Sequence, residues 1–369
     1  MIRVGILIGL GEMPKNAGDF NSNSYSLLLH MAPSYGVELC LFSHYDVNHV
    51  TNTVNGLFIV NGKPVRRNVP IPPIIDNKSH VTFNKKDKKM QRESALLEKK
   101  AYFARKLYGY TKIGEYQRLS SFTKSGGFTD LTIPTQIVPK NVDICKLADE
   151  LGDNLIIKPD CGGKGRGVFS VVRKGEVFEV VENHGEPVSM QTSECEAYID
   201  KLSLSERYIV QKRVYSNTLS GNPFDVRILI QRVGQSTHTF IMYPRIGKGK
   251  ILSNIAAGGK TMPIDPFLEE NFGKMATEIK AGLEKIGRDF PPFYQRFLKY
   301  PFFDMGLDIG IEMTNDSFQF YLFESNSWPL FDFNYNLASL HMKIARATLE
   351  HYRYLHDKLG DSPATTVVK

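Results

Sequence analysis

Short apolar runs alternate with helical patterns in the first part of the chain. Runs at residues 4–10 and 37–42 predict strands, and a helical pattern at 24–35 lies between them. Further apolar runs, each punctuated by Asn-Gly or Pro, predict strands at 57–60, 63–65 and 69–75. Strands that alternate with helices are typical of an α/β domain with a mainly parallel sheet. We therefore predict a small α/β domain over residues 1–83.

Further along the chain, longer strands are joined by turns. Predicted strands lie at 155–157, 168–172, 208–214, 224–233, 237–245, 251–256, 303–313 and 317–325. Helical patterns predict helices at 110–119, 142–151, 195–202, 266–287 and 337–359. The last two strands are separated by Asn315 and Asp316, which is typical of a hairpin turn. This part of the chain is therefore predicted to contain hairpins with helices between them.

A glycine-rich loop separates the strands at 155–157 and 168–172. Its glycines and cations are Gly162, Gly163, Lys164, Gly165, Arg166 and Gly167. Glycine lets backbone N–H groups approach an anion, and the cations supply charge for phosphate. Lys158 ends the preceding apolar strand, where a buried ammonium group needs an anionic partner. The loop predicts either a hairpin that closes over a polyphosphate or a mobile hairpin tip, and Lys158 favours the first.

The positive charge of the chain is concentrated in one stretch. At 369 residues, with 42% hydrophobic and 23% charged residues, the composition is that of a soluble globular protein of two or three domains. Residues 84–106 contain nine Lys or Arg and three acids, a balance of +6, so the rest of the chain contributes only +1 to the net +7. We predict a basic helical linker at 84–109 that faces solvent, with a nucleic-acid or anionic partner as the less favoured alternative.

Targeting and redox signals are weak. No apolar run reaches the roughly 18 residues that span a bilayer, and the N-terminal run lacks the cleavage site of a signal peptide. The four cysteines are widely spaced, with no CxxC pair: Cys40, Cys145, Cys161 and Cys195. This pattern gives no disulfide framework, which is typical of a reducing compartment. We therefore expect a cytoplasmic protein without a membrane span, and a disordered tail at 361–369.

Two oxygen-bearing side chains follow the apolar strand at 318–323. Glu324 and Asn326 lie two residues apart, so they face the same side of an extended chain. Asp308, on the predicted partner strand, can come alongside them. Three oxygen donors with room for water and phosphate are the usual ligands of magnesium bound to ATP. The alternative is a pair of polar groups that cap the end of a hairpin.

Charged residues also alternate on the strands at 224–233 and 237–245. Asp225 and Arg227 share one face, and by themselves they predict an internal salt bridge. Arg245 ends its strand before a Gly/Lys turn, where its planar group can fork to a phosphate or carboxylate. A second glycine turn follows, with Asn254, Gly258, Gly259 and Lys260. The sequence contains neither a Ser/His/Asp arrangement nor the spacing of a zinc site.

The order of these parts resembles that of ATP-grasp ligases. A lysine before an apolar stretch, a glycine hairpin after IIKP, and the motifs VQKRV, FDVR, NIAAGG, DIGIE and FESN follow one another. Within that superfamily the chain is most similar to the YheC/YheD-like group, described as spore-coat-associated, over roughly residues 110–335. The resemblance implies an α+β ATP-grasp fold: an N-terminal α/β domain precedes two α+β subdomains that clamp ATP. The subdomains would span 110–214, with the lid hairpin, and 215–360, with the metal site.

The resemblance also implies roles for residues that contact the nucleotide. Lys112 and Lys158 would hold the phosphates, with Lys124 as an alternative to Lys112. The lid that closes over them would contain Gly162, Gly163, Lys164, Gly165 and Gly167. The adenine hinge would be formed by Gln211, Lys212 and Val214, and the nucleotide and phosphate side would be lined by Asp225 and Arg227.

The remaining implied roles concern the metal and the transferred group. Magnesium, with manganese as an alternative, would be held by Asp308, Glu324 and Asn326. Arg245 would stabilise the phosphoryl group in transfer, together with Arg227 and Lys158 as the other catalytic residues. The substrate pocket would be bordered by Arg245, Asn254, Gly258 and Gly259.

The reaction that the resemblance implies is carboxylate activation. ATP would phosphorylate an acid to an acylphosphate, and an amine would attack it to give an amide, ADP and phosphate. Such chemistry needs no enzyme nucleophile, because metal and cations neutralise the developing charge. The implied partners are ATP and a small acid and amine, such as an amino acid or peptide. A nucleotide-binding structural protein without turnover and a kinase acting on a hydroxyl remain alternatives, and the oligomeric state stays open, a dimer included.

Overall fold

The protein forms three β-sheets with helices packed on their faces. The computed structural model describes residues 1–9, 26–79, 88–105, 111–123, 131–162, 165–182, 185–236, 238–249, 251, 253, 258–315, 317–326, 329 and 338–360. Two of the three sheets are antiparallel, and each shares one apolar core with its helices, which is typical of α+β folds. The predicted α+β architecture is therefore present.

The first sheet combines parallel and antiparallel strands. Its strands are β1 (Ile2–Leu7), β2 (Val37–Phe42), β3 (Val47–Asn48), β4 (Thr53–Val60), β5 (Lys63–Pro70), β6 (Ile74–Asn77) and β7 (Tyr102–Phe103). The order is β3-β4-β2-β1-β6-β7, with β5 paired to β4. Strands β1, β2, β6 and β7 pair in parallel, whereas β3, β4 and β5 pair antiparallel.

The antiparallel part of this sheet corrects the prediction of a mainly parallel sheet. Asn61 and Gly62, with φ of 52° and 75°, form the turn between β4 and β5. Two residues with positive φ are typical of a tight hairpin turn, and such a turn can join only antiparallel strands. The Asn-Gly pair, noted in the sequence only as punctuation, thus determines the strand direction.

The helices of this region are α1 (Ser26–Met31) and α2 (Lys88–Glu98). The basic helix is shorter than the stretch of positive charge, because the chain leaves α2 and enters β7 before Arg105. The Arg105 side chain is buried and contacts Asp76, with Nε 2.9 Å from Oδ1, and also Asp304. This arginine of the predicted solvated face therefore neutralises buried carboxylates of the first and third sheets, since burying an unpaired charge would be costly.

The second sheet is antiparallel and has the order β12-β11-β10-β9-β13-β8. It follows α3 (Lys112–Thr123) and contains β8 (Thr135–Ile137), β9 (Asn154–Pro159), β10 (Phe169–Lys174), β11 (Val177–Glu182), β12 (Val188–Gln191) and β13 (Tyr208–Lys212). Helices α4 (Ile144–Leu151) and α5 (Thr192–Ser203) share one apolar core with it. The glycine-rich loop connects β9 to β10.

The third sheet is also antiparallel and has the order β16-β15-β14-β17-β18. Its strands are β14 (Phe224–Arg232), β15 (His238–Ile246), β16 (Lys260–Thr261), β17 (Asp304–Thr314) and β18 (Ser317–Asn326). Helices α6 (Ile264–Phe272) and α7 (Ala276–Gln295) cover one face. They replace the single helix predicted at 266–287, because Gly273, with φ of 50°, ends α6 and a 3-10 turn precedes α7.

The last helix, α8 (Ala338–Leu359), contacts both the first and the third sheet. Leu349 and Tyr352 belong to the core of the first sheet, whereas Ile344 packs with Leu229 and Ile241 of the third sheet. The Tyr352 hydroxyl donates to Asp76 at 2.7 Å. The predicted C-terminal subdomain therefore ends in a helix whose core is shared with the N-terminal sheet, and the domain boundaries stay predictions.

Two buried histidines predict acid sensitivity. Burial lowers the pKa of His351 to about 3 and that of His238 to about 4. Both side chains take up protons near pH 6.5 in the unfolded chain. The unfolded state therefore binds more protons between about pH 4 and pH 6.5, and the free energy of unfolding should fall as the pH drops through this range. Urea unfolding at several pH values measures it.

Substitution of His351 tests whether this residue contributes to the acid sensitivity. His351→Leu should reduce the slope of the unfolding free energy against pH by up to about 1.4 kcal/mol per pH unit. His30 is exposed on α1, so His30→Leu is the matched control and should leave the slope unchanged. Equal slopes for His351→Leu and the unsubstituted protein would contradict the prediction.

Candidate active site

A cavity of about 180 Å³ lies between the second and third sheets. Strands of both sheets, the start of α3 and the glycine-rich loop contribute to its walls. The predicted site residues that line it are Lys112, Lys158, Gly162, Gly165, Gln211, Lys212, Val214, Asp225, Arg245, Asp308 and Glu324. Side chains from distant parts of the sequence therefore meet in one place.

Other predicted site residues lie away from the cavity wall or outside the described chain. Gly167, Arg227, Gly258, Gly259 and Asn326 are described but are not among the lining residues. Gly163, Lys164, Asn254 and the alternative Lys124 lie outside the described residues. Arg227 is buried behind the wall, where it contacts Asp308. Asn326 is next to the wall, since its Nδ2 donates to Glu324 Oε1 at 3.1 Å.

Part of the cavity wall is apolar, and the wall includes the end of β13. Its apolar lining includes Ile133, Ile156, Val168, Val214 and Phe323. The backbone N–H groups of Lys212, Arg213 and Tyr215 donate to Pro134, Asn154 and Glu312, respectively. The N–H of Val214 forms no hydrogen bond with the described residues. An apolar slot beside a backbone donor can hold a flat, apolar ring with an acceptor nitrogen.

Gln211 lines the cavity beside Ile156, its partner on β9. Its Nε2 donates to Thr135 Oγ1 at 2.6 Å, and the residue is buried. Gln211 thus joins β13 to β8 by a side-chain hydrogen bond. The amide Nε2 of this predicted hinge residue is therefore already used within the sheet.

Two lysines define the polar end of the cavity. Lys158 projects from β9, and Lys112 stands at the start of α3, where its Nζ donates to the carbonyl oxygen of Gly162 at 3.1 Å. Burial and the positive charge of Lys112 lower the pKa of Lys158 to about 8. The two ammonium groups therefore repel each other in a partly desolvated place, and an anion bound between them would relieve that repulsion.

Asp160, just before the glycine-rich loop, holds the start of α3, where Lys112 lies. The N–H of Lys112 donates to the carbonyl oxygen of Asp160 at 3.1 Å, and the N–H of Ile113 donates to Asp160 Oδ1 at 2.9 Å. These bonds satisfy donors at the start of α3 that have no partner within the helix. Asp160 also contacts Arg207. No local sequence pattern indicates this role, because Asp160 caps a helix that begins 48 residues earlier in the chain.

A β-bulge sets the position of the predicted metal ligands. Ile309 pairs with Leu322, but the next pair is Asp308 with Glu324, so Phe323 is an extra residue on β18. Bulges redirect side chains and are frequent next to active sites. Here the bulge brings the Asp308 and Glu324 carboxylates opposite each other, as the sequence predicted.

The two carboxylates have opposite shifts in their pKa values. The Arg227 and Arg245 guanidinium groups outweigh burial and lower the pKa of Asp308 to about 2. Burial and the negative charge of Asp308 raise the pKa of Glu324. Glu324 forms no ion pair with the described residues, so a cation would stabilise its ionised form. Hard oxygen donors of this kind fit a divalent cation such as Mg²⁺.

The ligand set predicted for a metal includes an amide as well as two carboxylates. Within the described chain, three or more His, Cys, Asp and Glu side chains do not cluster as a metal site. Asp308 and Glu324 supply two donors, and the Asn326 amide oxygen is the third that the sequence proposed. These residues would hold the cation beside the two lysines of the phosphate end.

Arg245 is held between two carboxylates. Its Nε and Nη2 donate to the two oxygens of Asp225, both at 2.7 Å, and its Nη2 also lies 2.7 Å from Asp308 Oδ2. Ser253 donates to the same Asp225. The predicted Asp225–Arg227 salt bridge is therefore replaced by cross-strand pairs, because Asp225 stands opposite Arg245 and Arg227 opposite Asp308.

Glu115 is a buried carboxylate that the sequence interpretation did not include. It lies on α3, one turn after Lys112, and accepts a hydrogen bond from the N–H of Ser325 at 2.9 Å. Burial raises the pKa of Glu115 to about 7, and the hydrogen bond to Ser325 opposes the rise. Its spacing of three residues from Lys112 put it on the same helical face, which was the only signal in the sequence.

The fold and this cavity define the class of protein. Two α+β sheet units enclose a cleft with lysines from one unit and carboxylates from the other, which is the arrangement of an ATP-grasp protein. A family model described as "YheC/D like ATP-grasp" matches residues 103–355. The chain belongs to the YheC/D-like ATP-grasp family. The resemblance recognised from the motifs is thus confirmed, and family membership supports ATP binding.

Solved structures agree on the fold. N5-carboxyaminoimidazole synthetase from Staphylococcus aureus is similar with a TM-score of 0.51 and 14% identity, covering 95% of this chain and 77% of that chain. D-alanyl-alanine synthetase A from Vibrio cholerae O1 biovar eltor str. N16961 has a TM-score of 0.50 and 12% identity, covering 95% of this chain and 97% of that chain. At these identities the likeness shows the fold alone.

Curated relatives and membrane-spanning helices were both sought. A search of the curated proteins found no matching relative. Among the described residues, no helix has the length and apolar character needed to cross a bilayer.

The lowered pKa of Lys158 predicts unusual reactivity. At pH 7.5 a lysine with a pKa of about 8 has a neutral fraction on the order of a hundredfold larger than an ordinary lysine near 10.4. The pH profile of Lys158 acetylation, followed by peptide mass spectrometry, should therefore have its midpoint near 8. Lys112→Gln removes the neighbouring positive charge and should move the midpoint upward. Lys63, exposed on β5, is the internal comparison, and a Lys158 midpoint near 10.4 would refute the prediction.

Proposed function

We propose that this protein is an ATP- and Mg²⁺-dependent carboxylate–amine ligase that works through an acylphosphate. The observation that carries the proposal is the convergence of two lysines and two facing carboxylates, Asp308 and Glu324, on one cavity that also has apolar lining. Adenine, polyphosphate and metal require these three environments in this order. Membership of the ATP-grasp family supports the same arrangement of adenine, phosphates and metal.

The nucleotide would lie along the cavity from β13 toward β18. The adenine ring fits the apolar slot, where the N–H of Val214 can donate to it. Lys112 and Lys158 would bind the phosphates, because an anion between them offsets their repulsion. Gly162 and Gly165 line this end of the cavity with φ of 120° and 68°, a backbone conformation that favours glycine and lets N–H groups approach the phosphates.

The divalent cation would be held by Glu324 and Asn326, with Asp308 beside them. When bound, it would neutralise charge on the phosphates during transfer. Asp308 stays ionised because two arginines contact it, and its oxygens have lone pairs beyond those that the arginines use. Arg245 contacts the Asp308 carboxylate as well as Asp225. Its Nη1 forms no hydrogen bond with the described residues, so this nitrogen could donate to a transferred phosphoryl group or to a substrate carboxylate.

The proposed reaction needs positioning and charge rather than an enzyme nucleophile. A substrate carboxylate oxygen bonds to the γ-phosphorus of ATP, and the bond from that phosphorus to the bridging oxygen breaks to release ADP. The amine nitrogen then bonds to the acyl carbon, phosphate leaves, and the amine loses a proton. Arg245, Lys112 and Lys158 would stabilise the charge that builds during both transfers.

The first test is nucleotide binding. Calorimetry should find ATP binding that strengthens with Mg²⁺, and Glu324→Ala should weaken the Mg²⁺-dependent binding at least about tenfold, since losing a charged contact costs roughly 1.5–3 kcal/mol. Glu278 is exposed on α7, so Glu278→Ala is the matched control and should bind as the unsubstituted protein does. ATP affinity that is unaffected by Mg²⁺ would refute the proposal.

The second test is turnover. Pools of small acids and amines, offered with ATP and Mg²⁺, should release ADP and phosphate and give an amide product that mass spectrometry identifies. Arg245→Met should lower the rate much more than the affinity for ATP, because Arg245 is proposed to act on the group in transfer. Binding without any ADP release would indicate a structural nucleotide-binding protein, and a phosphoester product would indicate a kinase.

A further inference from the structure

Glu115 is a buried carboxylate near the cavity to which the proposed reaction assigns no task. It is 8% exposed and lies in the first turn of α3. A carboxylate in such a place normally has a specific partner, because burying it without one is costly. Its partner is the backbone N–H of Ser325, 2.9 Å from its Oε1 and 210 positions away in the chain.

Ser325 lies between the two residues proposed to hold the metal. Its backbone N–H belongs to the segment that joins Glu324 to Asn326, so the hydrogen bond that it donates to Glu115 restrains the backbone from which both side chains project. The Ser325 hydroxyl donates to the Tyr294 hydroxyl at 2.9 Å, which fixes the same residue from α7. β18 is an edge strand, and α3 supplies the acceptor that a neighbouring strand would otherwise supply.

Helix α3 also carries Lys112, one of the two lysines proposed to bind phosphate. Lys112 and Glu115 are three residues apart and therefore lie on one face of α3. The helix start is fixed to the opposite wall, since the N–H groups of Lys112 and Ile113 both donate to Asp160. Helix α3 thus bridges the second sheet, through Asp160, and the third sheet, through Glu115.

We infer that Glu115 is a positioning residue that couples phosphate binding at Lys112 to cation binding at Glu324 and Asn326. The inference rests on the proposed function for its two ligands. Because one rigid helical turn carries both Lys112 and Glu115, ordering the helix on phosphates also orders the metal strand. The converse holds by thermodynamic reciprocity, so each ligand should strengthen the binding of the other.

The experiment measures this coupling and the hydrogen bond separately. The coupling is the ratio of the ADP dissociation constants without and with saturating Mg²⁺, obtained by calorimetry. The hydrogen bond is followed as amide hydrogen exchange at Ser325 in the protein without ligands. Two substitutions that introduce side chains of similar length are compared. Glu115→Gln keeps an oxygen acceptor without the charge, and Glu115→Met removes the acceptor. Gln117→Met, at an exposed position of the same helix, controls for general effects on α3.

The expected results distinguish positioning from general stabilisation. Glu115→Met should lose protection at Ser325 and reduce the coupling ratio about tenfold, within the usual range of coupling between sites. Glu115→Gln should restore both, and Gln117→Met should change neither. Unchanged coupling in Glu115→Met, or equal loss in Gln and Met variants, would overturn the inference while leaving the proposed function intact. An unsubstituted protein whose ADP affinity ignores Mg²⁺ would overturn the proposed function as well.

Discussion

The pairing of charges buried between the second and third sheets is the constraint on which the site depends. Arg245 contacts both Asp225 and Asp308, and Arg227 contacts Asp308 from behind. An unpaired charge at these positions would be strongly destabilising. The pairs therefore hold β14, β15 and β17 in a single register. This register presents Asp308 to the cavity in an ionised form, opposite Glu324.

The two walls of the cavity depend on a second constraint, the attachment of α3 at both of its sides. Asp160 accepts hydrogen bonds from its first residues, and Glu115 accepts one from the strand of Glu324 and Asn326. A lysine, a buried carboxylate and an edge strand thus behave as one unit. With the proposed ligands bound between the two sheets, such a unit would transmit the binding of one ligand to the site of the other.

Much of the fold and part of the site could be predicted from local patterns. Strand and helix positions followed apolar periodicity, and the placement of Lys158 at a strand end followed from its neighbours. The prediction was wrong where contacts between distant parts of the chain determine whether a side chain is buried or how strands pair. Arg105 was assigned to a solvated face but is buried against Asp304, almost two hundred residues away. Likewise, the mixed first sheet depends on which strands meet, a question that the pattern within each strand does not address.

The sequence by itself determined the order of the motifs, the alternation that puts Glu324 and Asn326 on one side, and hence the family. Only the tertiary structure decided which groups contact them. The bulge at Phe323 aligns Asp308 with Glu324, and Glu115 reaches Ser325 from a helix far earlier in the chain. The physical reason is range: periodicity reports which face of an element is buried, whereas hydrogen bonds and ion pairs between elements depend on how those elements pack.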